Sequence, residues 1–410
     1  FTPICAAQLF VSANKTAKNI ISLNKTFIFI LYPACYILLI QINTKMVNKM
    51  KKFLKLSILS LFLPALAQAQ QIPQFQEPIY YEEPVYYHPL APQVQQQRSP
   101  IEQIVWNNKV RCGSDMSVKT YAHKEDGVWS GIDADLCRII AQALLGDNRK
   151  IQMVNVSQKN MSRALDEDRI DIMLSGGSYS AKTETSRQAL SAGFLYYDHQ
   201  MLMVHKDDPE DLKEYKGKKI CISTDSDYYK NFDDFNWNND LGMRYLTFNT
   251  LKEAKEAFLL NRCKMMTASG LMLHGILKDL PGSNAKILPQ QIALHPVYAY
   301  VQRDNAELRL ALKWIFNALF LAEKYDINAQ NLSFFTSNDN PEIRNLLGDD
   351  EQLWTDLKVK PGWLKEVVSL FGNYRDIFDK DLGEDSEYHL QRNEGKLVKD
   401  GGTIYPLPFM

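Results

Sequence analysis

Between residues 100 and 330 the spacing of hydrophobic positions changes repeatedly, and each change marks an element. Residues 109–113 read as a strand. Leu136, Ile139, Ile140, Ala143 and Leu144 then recur at helical spacing, with Asp133 or Asp135 placed to cap the free N–H groups and Gly146 to end the helix. Residues 150–156 predict a second strand and 162–166 a short helix. Residues 170–174 predict a third strand, apolar throughout as in a sheet covered on both faces. Strand, helix, strand in this order implies a parallel sheet.

The same style restarts after Val204. Strands are predicted over 218–223, 245–248 and 264–268, and a helix over 250–260. Residues 225–234 open another helix, with Asp225 or Ser226 as its cap. The chain then returns through an extended stretch at 298–302 into a long amphipathic helix over 306–325. A second unit inserted between two crossings leaves the first unit discontinuous. Helices follow around 363–371 and 374–381, and the tail from Gly401 is loop-like.

The N-terminal region needs separate treatment. Met50-Lys-Lys-Phe-Leu-Lys is basic, Leu56-Ser-Ile-Leu-Ser-Leu-Phe-Leu is a short apolar run, and Ala65-Leu-Ala-Gln-Ala69 offers small residues at A-x-A spacing. Residues 46–69 therefore read as a secretory signal peptide cut after Ala69, with no Cys there to carry a lipid. Residues 1–45 read as an over-extended reading frame with the true start at Met46 or Met50. The competing reading, a membrane helix over 27–42, is short and contains Pro33. Residues 70–100 are rich in Gln, Pro and Tyr and read as a disordered tether, since Pro recurs too often for a helix or a central strand. Its near-repeat of Pro-(Ile/Val)-Tyr-Tyr has the form of a docking peptide, for which a solvated linker is the plainer reading.

The overall charge of −1 conceals an asymmetry, because residues 1–69 contain lysines and no Asp or Glu. The remainder is acidic, which argues against nucleic acid as a partner. Export places Cys112, Cys137, Cys221 and Cys263 in an oxidising compartment. Four cysteines allow three pairings, and chain order favours Cys112–Cys137 with Cys221–Cys263. Four free thiols are the alternative. A zinc site is disfavoured, because no pair has C-x-x-C spacing and no histidine cluster accompanies them. No G-x-S-x-G, H-E-x-x-H, phosphate loop or dinucleotide fingerprint is present, and the histidines are scattered. No enzyme, metal or cofactor is called for.

Several motifs stand in a specific order: Arg111-Cys-Gly113, Trp129-x-Gly-x-Asp-x-Asp-x-Cys-Arg138, Gly146-Asp147, Tyr196-Tyr-Asp-x-Gln200, Cys221, Asn261-Arg-Cys263, Gly372-Asn-Tyr-x-x-Ile-Phe378 and Gly401-Gly402. On these the chain resembles bacterial extracellular solute-binding proteins of family 3, and within them the general L-amino-acid-binding proteins of ABC importers. The resemblance spans roughly residues 105–406. It implies an α/β, two-lobed periplasmic binding protein fold of type II, with a discontinuous first lobe and a hinge. The first lobe would take residues 101–204 and return over 299–345. The second would take 205–298, and 346–410 would form a C-terminal helical extension. It also implies a monomer in the periplasm that receives a small solute and hands it to an inner-membrane ABC permease.

Such receptors grip an amino acid with an arginine on the carboxylate, an aspartate on the ammonium and a Gly/Thr turn of backbone N–H groups. By this resemblance the arginine position falls on Thr183, the aspartate position on Ser269, and the turn on Thr224, Asp225, Ser226 and Asp227. Gly176 and Ser178 match the backbone and hydroxyl contacts, Tyr121 the stacking aromatic, and Tyr179 is a further candidate. Each also has an ordinary reading as a packing, turn or cap residue. Neither charged clamp residue stands in its place, and Asp225 and Asp227 put negative charge where a carboxylate would dock. A cationic or neutral solute is expected. The alternatives are an exported interaction protein that keeps the receptor fold without transport, and a dehydratase-like enzyme on the same scaffold.

Overall fold

The computed structural model describes residues 98–409 except 176, 178, 180, 187, 188, 225, 226, 281 and 283, and the backbone alone for 182, 183 and 186. The proposed leader at 46–69, the segment before it and nearly all of the tether fall outside the described residues. The fold opens on helix α1 (Pro100–Asn107), started by a capping box between Ser99 and Glu102. Strand β1 (Val110–Ser114), a hairpin of β2 (His123–Glu125) and β3 (Val128–Ser130), helix α2 (Ile132–Leu145) and β4 (Ile151–Asn155) follow. Helix α3 (Met161–Asp166), strand β5 (Ile172–Met173) and helix α4 (Ala181–Ser186) lead into a long strand, β6 (Ala189–His205). The second unit comprises β7 (Lys219–Ser223), α5 (Tyr228–Asn238), β8 (Arg244–Phe248), α6 (Leu251–Leu259), β9 (Met265–Ser269) and α7 (Gly270–Lys278). A second long strand, β10 (Ala285–Gln302), carries the chain back to α8 (Ala306–Lys324).

All strands but the hairpin join one sheet, in the order β4-β1-β5-β10-β6-β9-β7-β8. Within each half the ladders are parallel: β1 with β4 and β5, and β7 with β8 and β9. The central pair β6 and β10 runs antiparallel, so the sheet is mixed rather than parallel throughout. The reason is the crossing itself, because one long strand leaves the first half and the other returns to it. These two strands are the two crossings between the halves, as the two-lobed plan with a hinge expects.

Two helix starts differ from expectation. Neither Asp133 nor Asp135 caps α2. Gly131 occupies that position at φ 102°, without a side-chain cap. A Cβ there would lie 2.6 Å from the Tyr121 carbonyl oxygen, so the chain needs glycine. Helix α5 begins at Tyr228, later than expected, and Asp227 stands before it without a side-chain cap bond. Gly146 does end α2, in the left-handed region. Disulfides Cys112–Cys137 and Cys221–Cys263 tie β1 to α2 and β7 to the end of the α6 turn.

The C-terminal helices α9 (Leu332–Phe335), α10 (Pro341–Leu346), α11 (Glu351–Asp356), α12 (Trp363–Phe371) and α13 (Tyr374–Asp381) extend the first half. Trp354 and Trp363 pack edge to face at 5.8 Å, and Phe409 stacks on Trp354 at 4.5 Å. All three belong to the same core cluster as α2 and α8.

Candidate functional site

In open α/β sheets ligands settle beyond the carboxyl ends of the parallel strands. In this chain those ends bring together Ser114 at the end of β1, Ser175 after β5 and Ser269 at the end of β9, with Tyr196 and Asp198 contributed by the hinge strand β6. Asp133, in the first turn of α2, is fully buried and accepts from the hydroxyls of Ser114 (2.6 Å) and Ser175 (2.5 Å). Ser175 sits at φ 44° and shares a further hydrogen bond with the Tyr196 hydroxyl (2.6 Å). Burial pushes the Asp133 carboxyl up to about 7, against the two serine bonds that favour its ionised form.

A second buried acid lies on β6, two residues beyond Tyr196. Asp198 accepts from the Ser269 hydroxyl and, at 3.4 Å, from the Leu271 backbone N–H at the start of α7. Burial raises it to about 6, opposed by those donors and by neighbouring backbone N–H groups. Ser269 also caps α7, accepting from Met272 N–H at 3.2 Å. Among the described residues no lysine or arginine forms an ion pair with Asp133 or Asp198. The site therefore holds two shielded carboxyls, pushed toward neutrality by dehydration, that a donor or a cation entering the crevice would draw back to the charged form.

The predicted residues divide between several places. Tyr121 is buried, and burial first, with Tyr196, Asp198 and Tyr228 near it, pushes its hydroxyl well above the usual tyrosine value. The stretch around it ties the halves together: Thr120 donates to the Leu271 carbonyl at 3.3 Å, and Lys119 pairs with Asp279 at 2.7 Å. Tyr179 turns elsewhere, packing tilted against Tyr298 at 4.6 Å and donating to Glu184 at 2.9 Å. Thr183 lies on α4, its side chain outside the described residues. Gly176, Ser178, Asp225 and Ser226 also fall outside them. Asp133 was anticipated only as a cap, and Asp198 only as part of the Tyr196-Tyr-Asp motif. Periodicity carries no sign of either role, because their partners are distant in sequence. Among the described residues no group of three His, Cys, Asp or Glu is placed to hold a metal ion, and no helix is long and apolar enough to cross a membrane.

Residues 110–332 match the model of a family described as bacterial extracellular solute-binding proteins, family 3. The chain is 27% identical over 304 residues to the general L-amino acid-binding periplasmic protein AapJ of Rhizobium johnstonii, covering 73% of this chain and 89% of that protein. It is 26% identical over 315 residues to the glutamate/glutamine/aspartate/asparagine-binding protein BztA of Rhodobacter capsulatus, covering 76% of this chain and 93% of that protein. A solved ABC transporter/periplasmic binding protein from Brucella ovis, with glutathione bound, is similar with a TM-score of 0.71 at 27% identity, covering 76% of this chain and 99% of that one.

Proposed function

Because this chain belongs to the bacterial extracellular solute-binding proteins of family 3, we propose that it is the periplasmic receptor of an ABC importer for a cationic or neutral amino-acid-like solute. It is a binding protein and not an enzyme, like the relatives it matches. In this reading the segment over 46–69 directs export, and the solute passes from the crevice to an inner-membrane permease. The observation that carries the ligand class is Asp198, a buried carboxyl seated on the Ser269 hydroxyl with no cation of this chain beside it among the described residues. Ser269 is the position expected to hold the ammonium-binding aspartate, so in this proposal the acid is supplied from the hinge strand instead. Asp133 adds a second buried acid. With Thr183 in the arginine position, a ligand carboxylate lacks its bidentate partner. This departs from BztA, whose name records acidic amino acids among its ligands.

A second reading, a peptide-like solute with a free amino group, is favoured by the glutathione held by the Brucella ovis protein. A thermal-shift screen separates the two. The probes are L-arginine, L-lysine, putrescine, L-glutamine, L-glutamate, L-aspartate and reduced glutathione. The proposal expects a rise in Tm with a cationic or neutral probe and none with glutamate or aspartate. A rise with glutathione alone selects the second reading. A rise with glutamate or aspartate that survives Asp198→Asn would refute both.

A further inference from the structure

A cavity of about 640 Å³ opens on the first half between the start of α8, the first part of β6 and the C-terminal segment at 403–407. Its lining does not include Asp133, Asp198 or Ser269. The volume suits a small organic molecule. One wall is aromatic: Tyr179 and Tyr298 pack tilted at 33° with centroids 4.6 Å apart, Phe194 meets Tyr298 edge-on at 5.7 Å, and Tyr197 lies 4.9 Å from Phe194. Another wall presents Arg309 and Lys313, which follow one another by a turn of α8. The Arg309 Nε donates to the Ser191 carbonyl at 2.8 Å, which holds the guanidinium at the wall.

No acidic side chain lines this space among the described residues. The carboxylate of Glu184 lies outside the lining and accepts from the hydroxyls of Tyr179 and Ser191, both at 2.9 Å. The remaining wall is fastened in place. Asn317 exchanges two hydrogen bonds with the Leu407 backbone, at 2.7 and 2.9 Å, and Thr403 donates to the Tyr197 hydroxyl at 3.2 Å. Two like charges side by side on one helix repel, and an anion between them relieves the repulsion. Aromatic faces beside them suit a flat ring.

We propose that this cavity is a second binding site, for a small aromatic carboxylate, with the ring against Tyr179, Tyr197 and Tyr298 and the carboxylate on Arg309 and Lys313. The inference does not depend on what the crevice binds. The probe is 4-fluorobenzoate, titrated into the full chain and followed by fluorine NMR. One saturable site is expected, weakened at least tenfold in the Arg309→Gln/Lys313→Gln double variant. Both positions are exposed, so the core is spared, and an unchanged Tm verifies the fold. Lys313→Gln alone should show an intermediate loss and serves if the double variant does not fold. Absence of saturable binding, or affinity unmoved by these substitutions, overturns the proposal. So does a loss confined to Asp198→Asn, which would locate the probe in the crevice.

Discussion

Asp198 and Asp133 show how surroundings set the charge state of a carboxyl. Each is buried, each is steadied by serine hydroxyls, and each is raised by dehydration, to about 6 and about 7. A carboxyl whose folded pKa lies above its unfolded value near 3.8 holds its proton more tightly in the folded state. Its favourable contribution is present at low pH and is lost as pH rises through the folded value. Stability should therefore fall by up to about 1.4 kcal/mol per pH unit for each group, between pH 4 and about 6 for Asp198 and between pH 4 and about 7 for Asp133. Urea unfolding of the wild type and of Asp133→Asn across that range checks this. The variant's slope should be shallower by one proton, while carboxylates shifted downward, such as Asp147, cancel in the comparison. For binding, Asp198→Asn should weaken a ligand that carries an ammonium group at least tenfold, measured by calorimetry. Only part of this site was legible in the chain. Ser269 was found through its place after Asn261-Arg-Cys263, but the acid that sits on it comes from β6, 71 residues away, and local spacing does not report such a pair.

Elements were more legible than contacts. Helices α12 and α13 occur over the residues that periodicity predicts, because their apolar faces are continuous and their limits are marked by Gly362, Gly372 and Asn373. The third strand was read as five residues, but its ladder holds only Ile172 and Met173, since β10 meets it at a single pair, Tyr300 with Met173. The start of α2 was misread for a chemical reason: aspartates that look like caps are instead spent on buried hydrogen bonds and an ion pair. Gly131→Ala should accordingly destabilise the fold by about 2 kcal/mol or more, read from the urea midpoint, through positive φ and the clash with the Tyr121 carbonyl. The disulfides close loops of 25 and 42 residues. Loop-closure entropy assigns them about 3.5 and about 4 kcal/mol, so serine pairs replacing either should lower Tm, with the Cys221–Cys263 loss slightly larger.

At the scale of the whole molecule, the two halves meet through β6 and β10 and through the stretch at 119–121 against α7. Tyr121 is buried in the core cluster that also holds Leu271 and Met272 of α7. Tyr121→Ala should favour the parted form and increase the radius of gyration seen by small-angle scattering in the absence of ligand. An unchanged profile would mean that the hinge strands alone hold the closure. The two-lobed plan was visible in the order of the elements, because the strand–helix alternation runs twice and then returns. The antiparallel hinge was less visible, because a strand of 18 residues with few polar alternations resembles two shorter ones.

The proposed receptor would receive its solute at Asp198 and without an arginine on the ligand carboxylate. The most direct test is a crystal structure of the protein purified from its native host, with the solute it carries. A cationic or neutral group within hydrogen-bonding distance of Asp198 is the predicted result. A ligand carboxylate held by an arginine of this chain would contradict it.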